Sequence, residues 1–434
     1  MKKLQSKKEM KALFFLCFFA YMITYLGRLN YSASLAEMVL QGVVNKEQAG
    51  FIGTMFFAAY GSGQLISGFL GDRLSAKQMI FTGLFCSALA NFMMCFLHDS
   101  LHMAVVWGIN GFVQSLIWSP IVHIISQYFP DDMQKDAGVK INYCVPVGTF
   151  LAYLFTACVI SAAHWRMVFL SAGAALLVMS GIWLAGMTRI EQIAADRSKV
   201  QKREEGSNKQ ADSSKQTISM RSLIWQSGIL FFCGALCVQG VLKDGVTTWI
   251  PTYINEQFHI GSVGSIIGTT VIPVFNFFGV FLAGAVNRRW FRNEIKTAAA
   301  FFAAALAALT ALRIFSSVHF MLSLCFFGIA TTAMMSVNTM LVSVLPMYFG
   351  KYQRASTMSG VLNSGAYLGG TISAYGIGAL SYHLGWDKTI EIWIVCAALG
   401  GILCIGGNPV WKQFLSGKKR KEKITKERKT IYEL

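Results

Sequence analysis

The chain has 434 residues, 54% hydrophobic and 14% charged, with a formal net charge of +17 and a mean hydropathy of +0.49. Soluble domains carry about 25% charged residues, so this composition excludes an ordinary water-soluble globule. The positive charge does not form a nucleic-acid surface: all Lys and Arg except Arg28, Lys46, Arg166, Lys243, Arg313 and Lys388 fall in short polar segments that alternation places on one membrane face.

Runs of about 17–25 mostly apolar residues read as spanning helices. Twelve such runs lie near 12–40, 48–70, 78–97, 101–125, 139–160, 166–187, 222–250, 260–286, 296–314, 318–345, 355–381 and 388–410. The first is not a cleaved signal, because Arg28 and a long apolar continuation stand where a cleavage site would be. Within it Tyr21, Tyr25 and Arg28 fall at i, i+4 and i+7 and share one helical face. A cation at mid-membrane costs about 2.5–3.5 kcal/mol on insertion scales, so one held there usually has a function. Two phenols leading to a planar guanidinium suit a phosphate or carboxylate. The competing reading is an arginine that snorkels to the outer interface.

In the second run Tyr60 and Gln64 share a face. It closes on Gly68-Phe69-Leu70-Gly71-Asp72-Arg73, with Lys77 four residues further on. A tight turn, an acid and two bases make either a topology turn or a latch in which Asp72 meets a base or the end of a neighbouring helix and which opens as the halves rock. In the fourth run Trp118 precedes Pro120, with His123 at the end, and the fifth carries Asn142. Each polar residue also has the plainer reading of a hydrogen bond between helices.

The one long polar segment, 188–221, divides the runs six and six. The expected organisation is a bundle over 1–187, a cytoplasmic linker over 188–221, a second bundle over 222–411 and a basic tail over 412–434. A faint repeat supports the split. Phe18-Phe19 precede Arg28 as Phe231-Phe232 precede Lys243, and Gly284 with Asn287-Arg288-Arg289 echoes the close of the second run. Two pseudo-symmetric six-helix bundles with a site at the midplane is a transporter architecture.

In the seventh run Gln239, Lys243 and Thr247 share a face, and Asp244 is beside Lys243. The pair is either part of the midplane site or an ion pair at the outer mouth. Asn338 and Asn363 lie in the tenth and eleventh runs, and Gly365, Gly369, Gly376 and Gly378 read as close-packing positions. The ten cysteines are scattered singly, with neither disulfide nor metal spacing. No GxxxxGK[ST] segment or Asp/His cluster supports ATP hydrolysis, metal catalysis or a cofactor, so no enzyme is expected. The charge asymmetry places both termini and the central linker in the cytoplasm, with Lys418 to Lys421 against anionic lipid of the cell membrane.

Tyr21-x-x-x-Tyr25-Leu26-Gly27-Arg28-Leu29-Asn30, Ala59-Tyr60-Gly61, Trp118-Ser119-Pro120, Trp165-Arg166 and Gly245-Val246-x-x-Trp249-x-Pro251-Thr252-Tyr253 resemble the organophosphate:phosphate antiporters of the major facilitator superfamily. The resemblance implies an all-α membrane protein of twelve helices that rocks about a phosphate held by one arginine per half. It matches Arg28 to the first arginine, and Tyr21, Tyr25, Tyr60 and Trp118 to pocket positions. It also brings departures: Lys243 stands for the second arginine, Gln64 for a lysine and Val145 for a histidine. The resemblance further implies that the segment Gly68 to Lys77 is the superfamily's cytoplasmic loop signature. The expectation is a monomeric secondary transporter of a small organic anion, an organophosphate exchanged for inorganic phosphate. Proton-coupled transport of a carboxylate or sugar acid, and a membrane sensor of sugar phosphate, are the alternatives.

Overall fold

A computed structural model describes residues 4, 6–204, 220–258, 271–315 and 319–432. The backbone of these residues is helical, joined by short turns. The first half holds α1 (Lys7–Thr24), α2 (Leu26–Leu40), α3 (Lys46–Gly71), α4 (Ala76–Met94), α5 (Ser100–Tyr128), α6 (Asp131–Lys140), α7 (Cys144–Ala162) and α8 (Trp165–Glu204). The second holds α9 (Met220–Ser227), α10 (Ile229–Gly240), α11 (Val246–Phe258), α12 (Ile272–Val286), α13 (Glu294–Phe315), α14 (Phe320–Asn338) and α15 (Ala355–Tyr432).

Each of the twelve expected runs falls on this path. The first is α1 and α2, broken at Tyr25; the fifth is α6 and α7, joined through a 3-10 turn at Ile141–Tyr143. The seventh joins α9, α10 and α11, with a 70° bend at Gly228 (φ 68°) and a π-helical turn at Val241–Gly245. The eleventh and twelfth form α15, parted at Gly385, whose φ of 75° favours a residue without Cβ. Positions 260–270 of the eighth run lie outside the described residues.

Among the described residues, seven helices are long and apolar enough to cross a membrane, or eight with the bent pair. Helices α3 and α4 fall short by composition. Gly61, Ser62, Gly63 and Gln64 dilute the first, and Lys77, Gln78 and Asn91 the second. The two differ in what they face: α3 packs on the other half through α15, whereas α4 lies within its own half against α5 and α8.

Helix extends into the segments expected as linker and as tail. Residues 188–204, assigned to the linker, continue α8 as helix, because Glu, Gln, Ala, Lys and Arg there are good helix formers with no breaker among them. Residues 205–219 lie outside the described residues. The tail is likewise a backbone continuation of α15 to Tyr432.

The start of α5 is fixed by Asp99, whose carboxylate accepts from the N–H groups of Leu101 (3.0 Å) and His102 (3.1 Å). The His102 N–H, the His102 ring and the Leu101 N–H together hold that carboxyl below the usual range. The halves pack most extensively where α3 and α5 meet α15, and again where α6 and α7 meet α12.

Candidate functional site

Arg28 follows a buried amide network in the first span. The Gly27 carbonyl accepts three side-chain amides: Asn110 at 2.9 Å, Asn91 at 3.1 Å and Gln114 at 3.2 Å. Ser87 ties Asn110 (2.6 Å) to Gln114 (2.9 Å), and Asn30 donates to Asn91 at 2.8 Å. This buried network fixes the helix backbone one residue before Arg28. Asn91, Asn110 and Gln114 escaped the sequence reading; an amide within an apolar run was their signal.

The Arg28 side chain is 8% exposed. Its guanidinium carbon lies 3.7 Å from the Tyr25 ring centroid and 5.6 Å from those of Tyr21 and Tyr60. Such cation–π contacts offset part of the desolvation of a buried cation, by about 2 kcal/mol where water is excluded. Tyr21 packs on Trp118 at 4.6 Å, and its hydroxyl lies 3.4 Å from that of Tyr60. Tyr60 in turn meets Tyr367 of the other half at 4.6 Å.

Against this cage lies a cleft of about 450 Å³, open space at its mouth included, walled by both halves. The first half contributes Tyr21, Tyr25, Trp118, Asn142 and Val145; the second contributes Gln239, Lys243, Asp244, Asn338, Asn363 and Tyr367 among others. Lys243 and Asp244 sit on the π-helical turn and pair at 3.3 Å. Such single-turn bulges inside helices recur at functional sites. Gly370 leaves room for the Asp244 carboxylate, since a Cβ there would stand 3.0 Å from its Oδ2.

Of the residues singled out in the sequence, Tyr21, Tyr25, Trp118, Asn142, Lys243, Asp244 and Asn363 line the cleft. Arg28 and Tyr60 belong to the adjoining cage. Gln64 faces elsewhere: its amide donates to the Ser115 carbonyl at 3.2 Å and accepts from Ser119 at 3.3 Å. Asn142 spans the halves, donating to the Gly138 carbonyl of α6 and accepting from Ser343 at 3.0 Å. Tyr367 had no sequence signal beyond being a tyrosine in an apolar run.

Toward the end that carries Lys7 and Ser416 the cleft is closed. Asp72, at the end of α3, caps α15 from across the interface. Its oxygens accept from the N–H groups of Ser356 (3.0 Å) and Thr357 (2.9 Å) and from the Thr357 hydroxyl. His123 Nδ1 lies 3.2 Å from the same carboxylate. A helix N-terminus has unpaired N–H groups and a partial positive charge, and an anion satisfies both. Beside it Gly68 and Gly360 cross backbone to backbone: a Cβ on Gly360 would stand 2.4 Å from the Gln64 carbonyl oxygen. Arg73 is exposed, and Lys77 pairs within its own half with Glu191 at 3.1 Å. The Gly68–Lys77 segment thus joins the halves through Gly68 and Asp72, while Lys77 braces one half.

A second cluster closes the same end. Lys135 pairs with the buried Glu294 at 3.0 Å, and the Tyr348 hydroxyl donates to Glu294 at 2.9 Å. Arg288 pairs with Asp136 at 3.0 Å.

The Major Facilitator Superfamily model matches residues 17–374. The chain is 21% identical to the membrane sensor protein UhpC of Escherichia coli, covering 89% of each. It is 19% identical to a probable hexose phosphate transport protein of Chlamydia pneumoniae, over 92% of this chain and 90% of that one. The solved structure of the proton:xylose symporter XylE superposes with a TM-score of 0.71 at 12% identity, over 92% of this chain and 95% of that one. The first two bear out the resemblance to organophosphate antiporters, and the third speaks for the fold alone. With the family model matching residues 17–374 and the described helices of both halves walling one central cleft, the chain belongs to the Major Facilitator Superfamily.

Proposed function

We propose that this protein is a secondary transporter of a small organic anion, an organophosphate exchanged for inorganic phosphate across the cell membrane. The observation that carries the reading is Arg28, buried among tyrosines beside a cleft between the halves and in contact with rings rather than carboxylates. A guanidinium in that setting attracts an anion strongly, because little water competes for it. Lys243 faces the same cleft from the other half and supplies a weaker second cation, shared with Asp244.

In this reading the bound anion draws the halves onto itself. It lowers the barrier to rocking, so the site opens alternately to either side. The contacts of Asp72 and Glu294 hold the terminus-bearing end shut, and that end is cytoplasmic by the positive-inside rule. Similarity to hexose phosphate and glycerol-3-phosphate transport proteins supports a phosphate ester as cargo. The test is counterflow of labelled phosphate in proteoliposomes. Exchange is expected in the wild type and lost in Arg28→Ala; normal exchange in that variant overturns the reading.

Two specific observations favour other readings. Asp244 on the cleft wall favours a proton carrier for a carboxylate or sugar acid, with uptake driven by a pH gradient and lost in Asp244→Asn. The similarity to a membrane sensor favours binding without flux, which a thermal shift by sugar phosphate with no counterflow would reveal.

A further inference from the structure

Two irregular turns meet across the interface at the closed end of the cleft. In the first half the 3-10 turn Ile141–Tyr143 joins α6 to α7; in the second the π-helical turn Thr339–Val344 continues α14. Such departures inside a helix recur at hinges and functional sites. Asn142 of the first turn and Val342 of the second both line the cleft. Ser343 comes next in the chain, fully buried, on the way to Tyr348 and the Glu294 cluster. Its hydroxyl donates to Asn142 Oδ1 at 3.0 Å, and Asn142 Nδ2 donates to the Gly138 carbonyl at 2.8 Å. The halves approach closely there: a Cβ on Gly138 would stand 2.4 Å from Met347 Cε and 3.3 Å from the Ser343 carbonyl oxygen. Asn142 thus belongs both to the cleft wall and to the closure beneath it.

The stronger ties at this end do not reach the cleft. Asp72, Thr357, Lys135 and Glu294 join the halves without lining it. A ligand shifts a conformational equilibrium only through contacts that differ between the two states. A signal from an occupied cleft to the closed end therefore needs a residue that touches both, and Asn142 stands in that place. An anionic oxygen accepts hydrogen bonds, so it recruits the amide N–H groups, while the oxygen of the same planar carboxamide points away from it. Hydrogen bonds to an ionised group are roughly twice as strong as neutral ones, so an anion outcompetes Gly138 and Ser343 for this side chain.

We propose that the Asn142–Ser343 hydrogen bond couples occupancy of the cleft to its closure. An anion in the cleft turns the Asn142 amide toward itself, Oδ1 leaves Ser343, and the closed end loosens only when the site is filled. Asn142 makes the contact with the ligand, and Ser343 is a positioning residue that acts through it. The inference rests on the anion binding proposed above and adds how that binding is passed to the far side of the cleft.

The experiment follows alkylation of a cysteine placed at Ser126, on the closed side, with and without inorganic phosphate. It uses the full-length protein in a cysteine-depleted background, and thermal shift by phosphate reports binding separately. With Ser343 in place, phosphate is expected to speed labelling severalfold. Ser343→Ala should label about fivefold faster without phosphate, as loss of one neutral hydrogen bond implies, and gain little more when phosphate is added. Its thermal shift by phosphate should persist, because Ser343 does not line the cleft. Ser343→Thr keeps the hydroxyl and should restore the acceleration by phosphate. A serine that serves structure alone would lower the melting temperature on substitution and leave that acceleration in place; this result overturns the proposal. Phosphate binding with no change of labelling while Ser343 is present overturns the coupling and leaves anion binding standing. No thermal shift by phosphate or glycerol 3-phosphate overturns both. Should Ser343→Ala fail to fold, Ser343→Gly removes the same hydroxyl and is judged by the same outcomes.

Discussion

Arg28 and Lys243 are the same kind of residue in sequence and opposite kinds in place. The Arg28 charge is surrounded by aromatic faces, with the Tyr25 ring 3.7 Å away. Lys243 already has Asp244. Asp72 shows the complementary logic: a buried carboxylate made tolerable by two backbone N–H groups, a hydroxyl and a histidine. Asp72→Asn removes the charge and one acceptor from that cap. Hydrogen bonds to a charged group contribute about 1.5–3 kcal/mol, so the ratio of closed to open states should fall roughly tenfold or more. Alkylation of a cysteine placed at Ser126, on the closed side, in a cysteine-depleted background would then speed up from the terminus-bearing face. An unchanged labelling rate would show that Asp72 does not hold that end shut.

Local breaks in the helices, more than the helices themselves, build the site. In the first span three side-chain amides on the Gly27 carbonyl hold the backbone next to Arg28. Hydrogen bonds between membrane helices contribute about 0.6–1.7 kcal/mol each. Asn110→Leu is expected to lower the melting temperature of the purified protein modestly and to weaken phosphate exchange more than that loss explains. A stability change with intact exchange would make the network structural only. The π-helical turn at Val241–Gly245 shifts the register so that Lys243 and Asp244 both reach the cleft. Where α3 and α15 cross, Gly360→Leu would drive a side chain into the Gln64 carbonyl. Fluorescence or crosslinking across that crossing should report halves held apart, and transport should fail even though Arg28 is untouched.

For the molecule as a whole, the interface is asymmetric despite the repeat. Asp72 caps a helix of the other half from a buried position, whereas the corresponding turn offers Arg288, which pairs with Asp136 at an exposed site. The α3–α15 seam is therefore the firmer one, and opening at the terminus-bearing end should begin on the α6–α12 side. The basic segments predict the orientation. Alkaline phosphatase fused after Leu434 should be inactive and a fluorescent protein there bright, and the reverse would invert the topology.

The sequence by itself determined the helical runs, the six-and-six division and the family, because membrane spans are set by length and apolarity and the motifs of the first, fourth and seventh runs are local. It also marked Tyr21, Tyr25, Arg28, Lys243 and Asp72, since a charge or paired phenols in an apolar run stand out. Gln64 shows where that reasoning ended: an amide on the same face as Tyr60 turned out to serve a helix contact. Only the tertiary structure decided which polar groups face the cleft and which face a neighbour, and that Asp72 finds a helix end while Lys77 stays at home. It alone supplied Tyr367 and the amides beneath Gly27. Those facts depend on rotation and register between helices distant in the chain, and periodicity within one helix carries no information about them.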